Sequence, residues 1–198
     1  MKALAPVLAA LLVACGGGDG SPGASTGAHD VTANSGTPAS TQLISLCGHE
    51  VGPHLIEGSV SKVHDGDTIT VNGESIRLDS IDAPELAQSY GAQAQVSLSR
   101  LVMGQVVKVA FSKTDPYGRI VGAVFTNSCQ YVNLEQVVAG AAWFYRAYQC
   151  EISAASRLQF DRAESAARSA RLGLWAEPAP IAPWFFRNAS NPAIPVCP

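Results

Sequence analysis

Charge is scarce in this sequence and regular repetition is absent. Only 15% of the 198 residues are charged, and the formal net charge is −3. A chain this near neutrality has no bulk attraction for nucleic acid or for an anionic membrane, so an anion-handling site must be a local cluster of positive groups. No apolar run reaches the roughly 20 residues that a membrane-spanning helix needs. No segment repeats, which excludes solenoid and propeller architectures. No two cysteines lie at the short spacing of paired zinc ligands, which argues against a structural zinc site.

What is present suits one domain with additions at both ends, long enough to bury a core. The chain opens MKALAPVLAALLVAC, with Lys2 ahead of an apolar stretch from Leu4 to Val13. That stretch has the length of a signal-peptide core. Leu12-Val13-Ala14-Cys15 resembles the cleavage box of bacterial lipoproteins, which implies removal of residues 1–14 and lipidation of Cys15. A plain signal peptide with an incidental cysteine is the alternative. Residues 15–42 follow as the lipidated cysteine and a flexible linker rich in Gly, Ser, Thr, Ala and Pro. Such a segment buries too little surface to offset its ordering entropy. The expected product is exported and held to the cell envelope by lipid (the outer membrane in a Gram-negative cell), or secreted.

Cys47, Cys129, Cys150 and Cys197 remain, and four cysteines in an exported chain imply two disulfides. Three pairings are open. Cys47 and Cys197 bracket the folded region, so at least one bridge should tie a terminus down.

Residues 43–177 read as the folded domain, and 178–198 as a Pro-rich, irregular tail packed on it. Val60 to Ile81 alternates as three strands, with Asn72-Gly73 marking a two-residue hairpin. Gln88 to Met103 reads as a helix stopped by Gly104. Gln105–Phe111 and Ile120–Phe125 read as two further strands around the turn DPYG. Asn133 is placed to cap a short helix, and Glu151 to Leu172 reads as a longer one. The order predicts an α+β fold, mainly β, with a five-stranded barrel and helices packed on it.

The charged residues gather at strand ends and turns: Asp65 and Asp67 in HDGD, Arg77, Asp82 and Glu85 in IRLDSIDAPE, Asp115 and Arg119 in DPYGR. Each alone is ordinary turn chemistry. Together they are the parts of a phosphodiesterase. Oxygen ligands such as Asp67 and Asp82 suit a hard cation, Ca²⁺ or Mg²⁺. The forks of Arg77 and Arg119 match phosphate oxygens. Glu85 is placed to take a proton from an attacking water. Strict alternation sends Arg77 and Asp82 to opposite faces of one strand, so an irregularity is expected near Asp79 or Ser80. His64 beside HDGD reads as an exposed strand residue.

In order and spacing, HDGDT, IRLDSIDAPE, QSYG, DPYGR, VNLEQVVAGAAWFY, AESAAR and GLW resemble the staphylococcal nuclease family over roughly Val60 to Trp175. The resemblance implies an OB-fold barrel with three helices. It implies Ca²⁺ bound by Asp67, Asp82 and the Ala83 carbonyl, with Asp65 behind them. It further implies Glu85 as general base, Arg77 and Arg119 on the scissile phosphate, and Tyr117 and Tyr145 beside the nucleotide. The activity implied is endonucleolytic hydrolysis of DNA and RNA that leaves 3′-phosphates, carried out by a monomer. The family's type enzyme has threonine where Ala83 stands and lysine where Pro116 stands. From Cys47 onward, 12 Lys and Arg face 14 Asp and Glu, so binding of a polyanion should be weak and salt-sensitive. The competing readings are a family-fold module that binds nucleic acid or protein without cleaving it, and a structural envelope lipoprotein. The Pro183-Trp184-Phe185-Phe186-Arg187 tail resembles one in bacterial family members.

Overall fold

Period-two alternation of apolar residues builds the centre of the molecule. The computed structural model describes residues 42–197, so the expectations for the signal peptide, Cys15 and the linker up to residue 41 lie outside the described residues. A hairpin of β1 (Ile44–Leu46) and β2 (His49–Val51) leads in. Then come β3 (His54–Val63), β4 (Thr68–Val71), β5 (Glu74–Leu78) and the short β6 (Ile81–Asp82). Helix α1 (Gly91–Val102) precedes β7 (Val106–Thr114) and β8 (Ile120–Thr126). Helix α2 (Val132–Val138), strand β9 (Trp143–Phe144), and helices α3 (Ala154–Ser169) and α4 (Pro183–Asn188) complete the order.

The barrel closes in the order β3-β4-β5-β8-β7. All of its pairs are antiparallel except β5 with β8. Ile69, Val71, Ile76, Leu78, Val107, Val109 and Val124 point inward and are fully buried. Each such side chain contributes about 1.5–3 kcal/mol by leaving water. Asn72 and Gly73 take φ of +52° and +88°, as the β4–β5 hairpin requires.

The ribbon of β6 and β9 stands apart from the barrel. Ser80 has a φ of +60° and separates β5 from β6. Beyond it the chain leaves β8 and pairs with β9, Ile81 opposite Phe144 and Asp82 opposite Trp143. The expected irregularity therefore falls at Ser80, and it undoes the alternation that would have sent Asp82 away from Arg77. Helix α3 holds the ribbon from behind. Its buried Glu164 accepts from the Phe144 N–H at 3.1 Å and from Arg146 Nη1 at 2.8 Å.

Several local expectations need correction. Asn133 does not cap α2. Tyr131 takes that position without a side-chain capping bond, and Asn133 turns inward to accept from the Val124 N–H at 2.9 Å. A buried amide that can satisfy strand ends does more for stability than a cap exposed to water. The helix expected from Glu151 begins at Ala154 behind a Ser153 cap, and Arg146–Glu151 is a 3₁₀ turn. The tail is not wholly irregular: Pro183, with φ already helical, opens α4. His64 is half-buried, its ring nitrogen 2.8 Å from the Thr70 hydroxyl.

The bridges are Cys47–Cys129 and Cys150–Cys197. The first ties the entry hairpin to the loop after β8. The second ties the tail to the 3₁₀ turn before α3.

Candidate active site

The loop HDGD folds on itself. Asp65 Oδ1 accepts the Asp67 N–H at 3.0 Å, the short Asx turn that an aspartate makes two residues ahead. Gly66 lets this loop lie against the next segment, since a Cβ there would stand 2.5 Å from that of Ala83 and 2.7 Å from that of Ala94. The Asp67 carbonyl then accepts the Leu78 N–H at 2.8 Å, which fixes the loop to β5.

Arg77 projects from β5 opposite the inward Ile76 and Leu78. Its Nε lies 3.3 Å from Asp67 Oδ1, its Nη2 2.9 Å from Asp82 Oδ1, and its Nη1 donates to the Leu78 carbonyl at 2.7 Å. One guanidinium thus spans two carboxylates, one on the loop before β4 and one on β6. Asp67 Oδ2 also accepts the Ala83 N–H at 2.7 Å. Pro84 turns the chain, and Glu85 follows with its side chain on the rim.

Asp115 organises the opposite wall. Its Oδ1 accepts the N–H groups of Tyr117 at 2.9 Å and Arg119 at 3.0 Å, while its Oδ2 holds Arg119 Nε at 2.6 Å. Slight burial raises its pKa, but these bonds outweigh that and hold the carboxyl below the usual range. Tyr117 is 85% exposed at the turn's tip. Tyr145 follows β9 and faces Trp184 with ring centroids 5.4 Å apart.

A cavity of about 410 Å³ joins these walls, and it brings together Asp65, Asp67, Arg77, Asp82, Ala83, Glu85, Tyr117, Arg119 and Tyr145. Sequence reasoning missed four other lining residues: Lys113, Tyr148, Glu151 and Arg187. Arg187 matters most. From α4 it reaches back to Asp82, with Nη2 to Oδ2 at 2.7 Å and Nη1 to Oδ1 at 3.3 Å. Its Nη1 also donates to Glu85 Oε1 at 2.6 Å. The motif PWFFR was visible, but nothing in its composition said where the arginine would point.

Seven carboxylates line the cleft against four cations. Burial first, and the Asp67 charge second, push Asp65 up to about 6. Burial first, with Asp67 adding against the opposing pull of Arg77, pushes Asp82 to about 6. By the count of lining groups negative charge is in surplus, which is a condition that a bound cation relieves. Among the described residues no three His, Cys, Asp or Glu side chains group as a metal site. Two carboxylates, one carbonyl and water are an oxygen set that fits a hard cation such as Ca²⁺.

Asp79 lies outside this chemistry. Its carboxylate accepts from Asn133 Nδ2 at 3.0 Å and from the Tyr131 hydroxyl at 3.4 Å, so it fastens the end of β5 to the start of α2. Burial pushes it up to about 6 from an ordinary 3.8. The folded state then binds the Asp79 proton more tightly than the unfolded state, and stability falls as pH rises through that window. Asp79→Asn should flatten the stability curve between those values, measured by urea denaturation at stepped pH. Asp65 and Asp82 act with the same sign, so the curve becomes flatter rather than flat. An unchanged slope would refute the assignment.

Comparisons with known proteins identify the family. A sequence model described as "Staphylococcal nuclease homologue" matches residues 75–177, which begins after Asp67. An "Uncharacterized endonuclease" of Escherichia coli is 39% identical over 137 residues, 67% of this chain and 86% of that protein. "Micrococcal nuclease" of Shigella flexneri is 38% identical over 148 residues, 69% of this chain and 83% of that one. "Protein ParB" of Escherichia coli is 36% identical over 148 residues, 69% and 81% respectively. With its closed five-stranded barrel and this sequence match, the chain belongs to the staphylococcal nuclease homologue family.

Proposed function

We propose that the chain is a Ca²⁺-dependent endonuclease that hydrolyses DNA and RNA and leaves 3′-phosphates. That it is a nuclease, and so a hydrolase, follows from its family. The finer reading rests on one observation: a single guanidinium, Arg77, joins Asp67 and Asp82 at the floor of a cleft whose rim carries Glu85 and Arg119.

Asp67, Asp82 and the Ala83 carbonyl would hold Ca²⁺. A cation there supplies Lewis acidity and charge to offset the phosphoryl oxygens. Arg77 and Arg119 bind the non-bridging oxygens and stabilise the five-coordinate phosphorus as its charge grows. Glu85 accepts the proton of the attacking water. The leaving oxygen is the 5′-oxygen, so the phosphate stays on the 3′ side. Tyr117 and Tyr145 offer aromatic faces to the flanking nucleotide. Asp65 shapes the HDGD loop through its turn bond.

The test is digestion of plasmid DNA and of RNA with Ca²⁺ and with chelator. Cleavage should require Ca²⁺, and the products should resist polymerase extension until a phosphatase removes the 3′-phosphate. Intact substrate in both conditions, or extendable ends, refutes the reading. Because substrate contact rests on the few cations of the cleft, the rate at subsaturating DNA should fall as salt rises.

We also infer an exported monomer, anchored by lipid on Cys15 or secreted. Two disulfides support an oxidising compartment. Among the described residues no helix is long and apolar enough to cross a membrane.

A further inference from the structure

Arg187 reaches the cleft from a tail that is fastened on both sides of it. Upstream, Pro183 is buried, and Trp184 packs edge-on against Trp143 at 5.4 Å. Gln88 donates to the Ile181 carbonyl, and the Ser89 hydroxyl donates to Glu177. Downstream, Gln149 donates to the Pro195 carbonyl at 2.7 Å, and Cys197 is bridged to Cys150. The docking of α4 therefore does not depend on Arg187. The guanidinium is delivered to Asp82 and Glu85 by structure that would stand without it.

Its position is specific. Both Asp82 oxygens are engaged by arginine: Oδ1 by Arg77 at 2.9 Å and Arg187 at 3.3 Å, Oδ2 by Arg187 at 2.7 Å. Asp82 is 1% exposed, so little water screens these charges. Calcium ligands lie about 2.3–2.6 Å from the ion. A divalent ion taking an Asp82 oxygen would stand against a guanidinium already in contact with that carboxylate, and like charges at such range repel strongly outside bulk water.

We propose that Arg187 is a positioning residue of the active site that competes with the divalent cation for Asp82 and holds Glu85 over the cleft. In the cation-free protein Arg187 balances two carboxylates that would otherwise repel each other. With Asp82 engaged by a cation, Arg187 would give up that carboxylate and keep its bond to Glu85 Oε1, which would leave Oε2 for the water. The tail thus sets the cation concentration at which the enzyme turns on.

This inference rests on the Ca²⁺ reading above, and the experiment separates the two. Ca²⁺ alone, without nucleic acid, is titrated by calorimetry into the full folded domain, wild type, Arg187→Gln and Arg187→Lys. Arg187→Gln should bind Ca²⁺ about tenfold more tightly, within the usual span of coupling between competing ligands. Arg187→Lys keeps the charge and should lie close to wild type. Chelated Arg187→Gln should retain the wild-type tryptophan fluorescence, to which Trp143, Trp175 and Trp184 contribute, since the tail is fastened elsewhere. Equal or weaker Ca²⁺ binding by Arg187→Gln overturns the competition and leaves the nuclease reading intact. Failure of every form to bind Ca²⁺ overturns both.

Discussion

Glu85→Gln should lower the cleavage rate by about 10²- to 10⁴-fold, the range associated with a positioned general base. The substitution keeps the shape and a hydrogen-bond acceptor for Arg187, but it removes the proton acceptor. Glu85 sits on the rim at the end of a rigid path. Pro84 turns the chain after Ala83, and Gly91 allows the return, since a Cβ there would lie 1.9 Å from the Glu85 carbonyl. The loss should therefore appear in kcat with the fold intact, checked by circular dichroism and by steady-state kinetics on a short oligonucleotide. If the variant cleaves at the wild-type rate, another group takes the proton and the assignment fails.

Arg77→Gln should be worse, because it removes two functions at once. Burial works against the Arg77 charge, and Asp67, Asp82 and Asp65 outweigh it, so the guanidinium holds its proton more firmly than usual. Without it those carboxylates face one another across a poorly hydrated floor. Removing one partner of a buried ion pair costs about 3–5 kcal/mol. Some solvent reaches Arg77, so the lower end of that range applies. The rate should also fall by about 10³-fold or more, as when a phosphate-binding arginine is lost elsewhere. Arg119→Gln makes the informative contrast. Arg119 is held by the Asp115 carboxylate and lies over the exposed Tyr117 ring, with its guanidinium carbon 5.6 Å from the ring centroid, and the backbone N–H groups hold the turn without its side chain. It should lose a comparable share of rate with little loss of stability. Urea denaturation and single-turnover cleavage on both variants separate the roles. Equal stability losses would mean that Arg77 does not hold the floor together.

The barrel was legible because its signals are local. Asn72-Gly73 can serve little but a hairpin, and Ile69, Val71, Ile76 and Leu78 alternate over it without interruption. The charged residues were legible as a set because turns place them at one rim. Features that depend on distant partners were not. Asn133 has the composition of a cap, yet its amide is worth more inside, between Val124 and Asp79. Asp79 has no role that its sequence neighbours explain, and its partners are the Tyr131 hydroxyl and that same amide. Glu164 lay unremarked in AESAAR, because a glutamate on an amphipathic helix reads as solvated. It is buried because the Phe144 N–H and Arg146 satisfy it. Arg187 lies 102 residues from Glu85, and no periodicity connects them.

The separation of the β6–β9 ribbon from the barrel has a consequence for ionic radius. Asp67 belongs to the barrel through Leu78, and Asp82 belongs to the ribbon through Trp143. Their spacing is set by the bend at Ser80 rather than by the pleat of a single sheet. The gap is spanned by the Ala83 N–H on Asp67 Oδ2 at 2.7 Å and by Arg77, which touches both carboxylates, and not by a barrel hydrogen bond. On the proposed Ca²⁺ reading, two carboxylates that do not share one sheet's pleat suit the irregular shell of about six to eight oxygens that this ion takes.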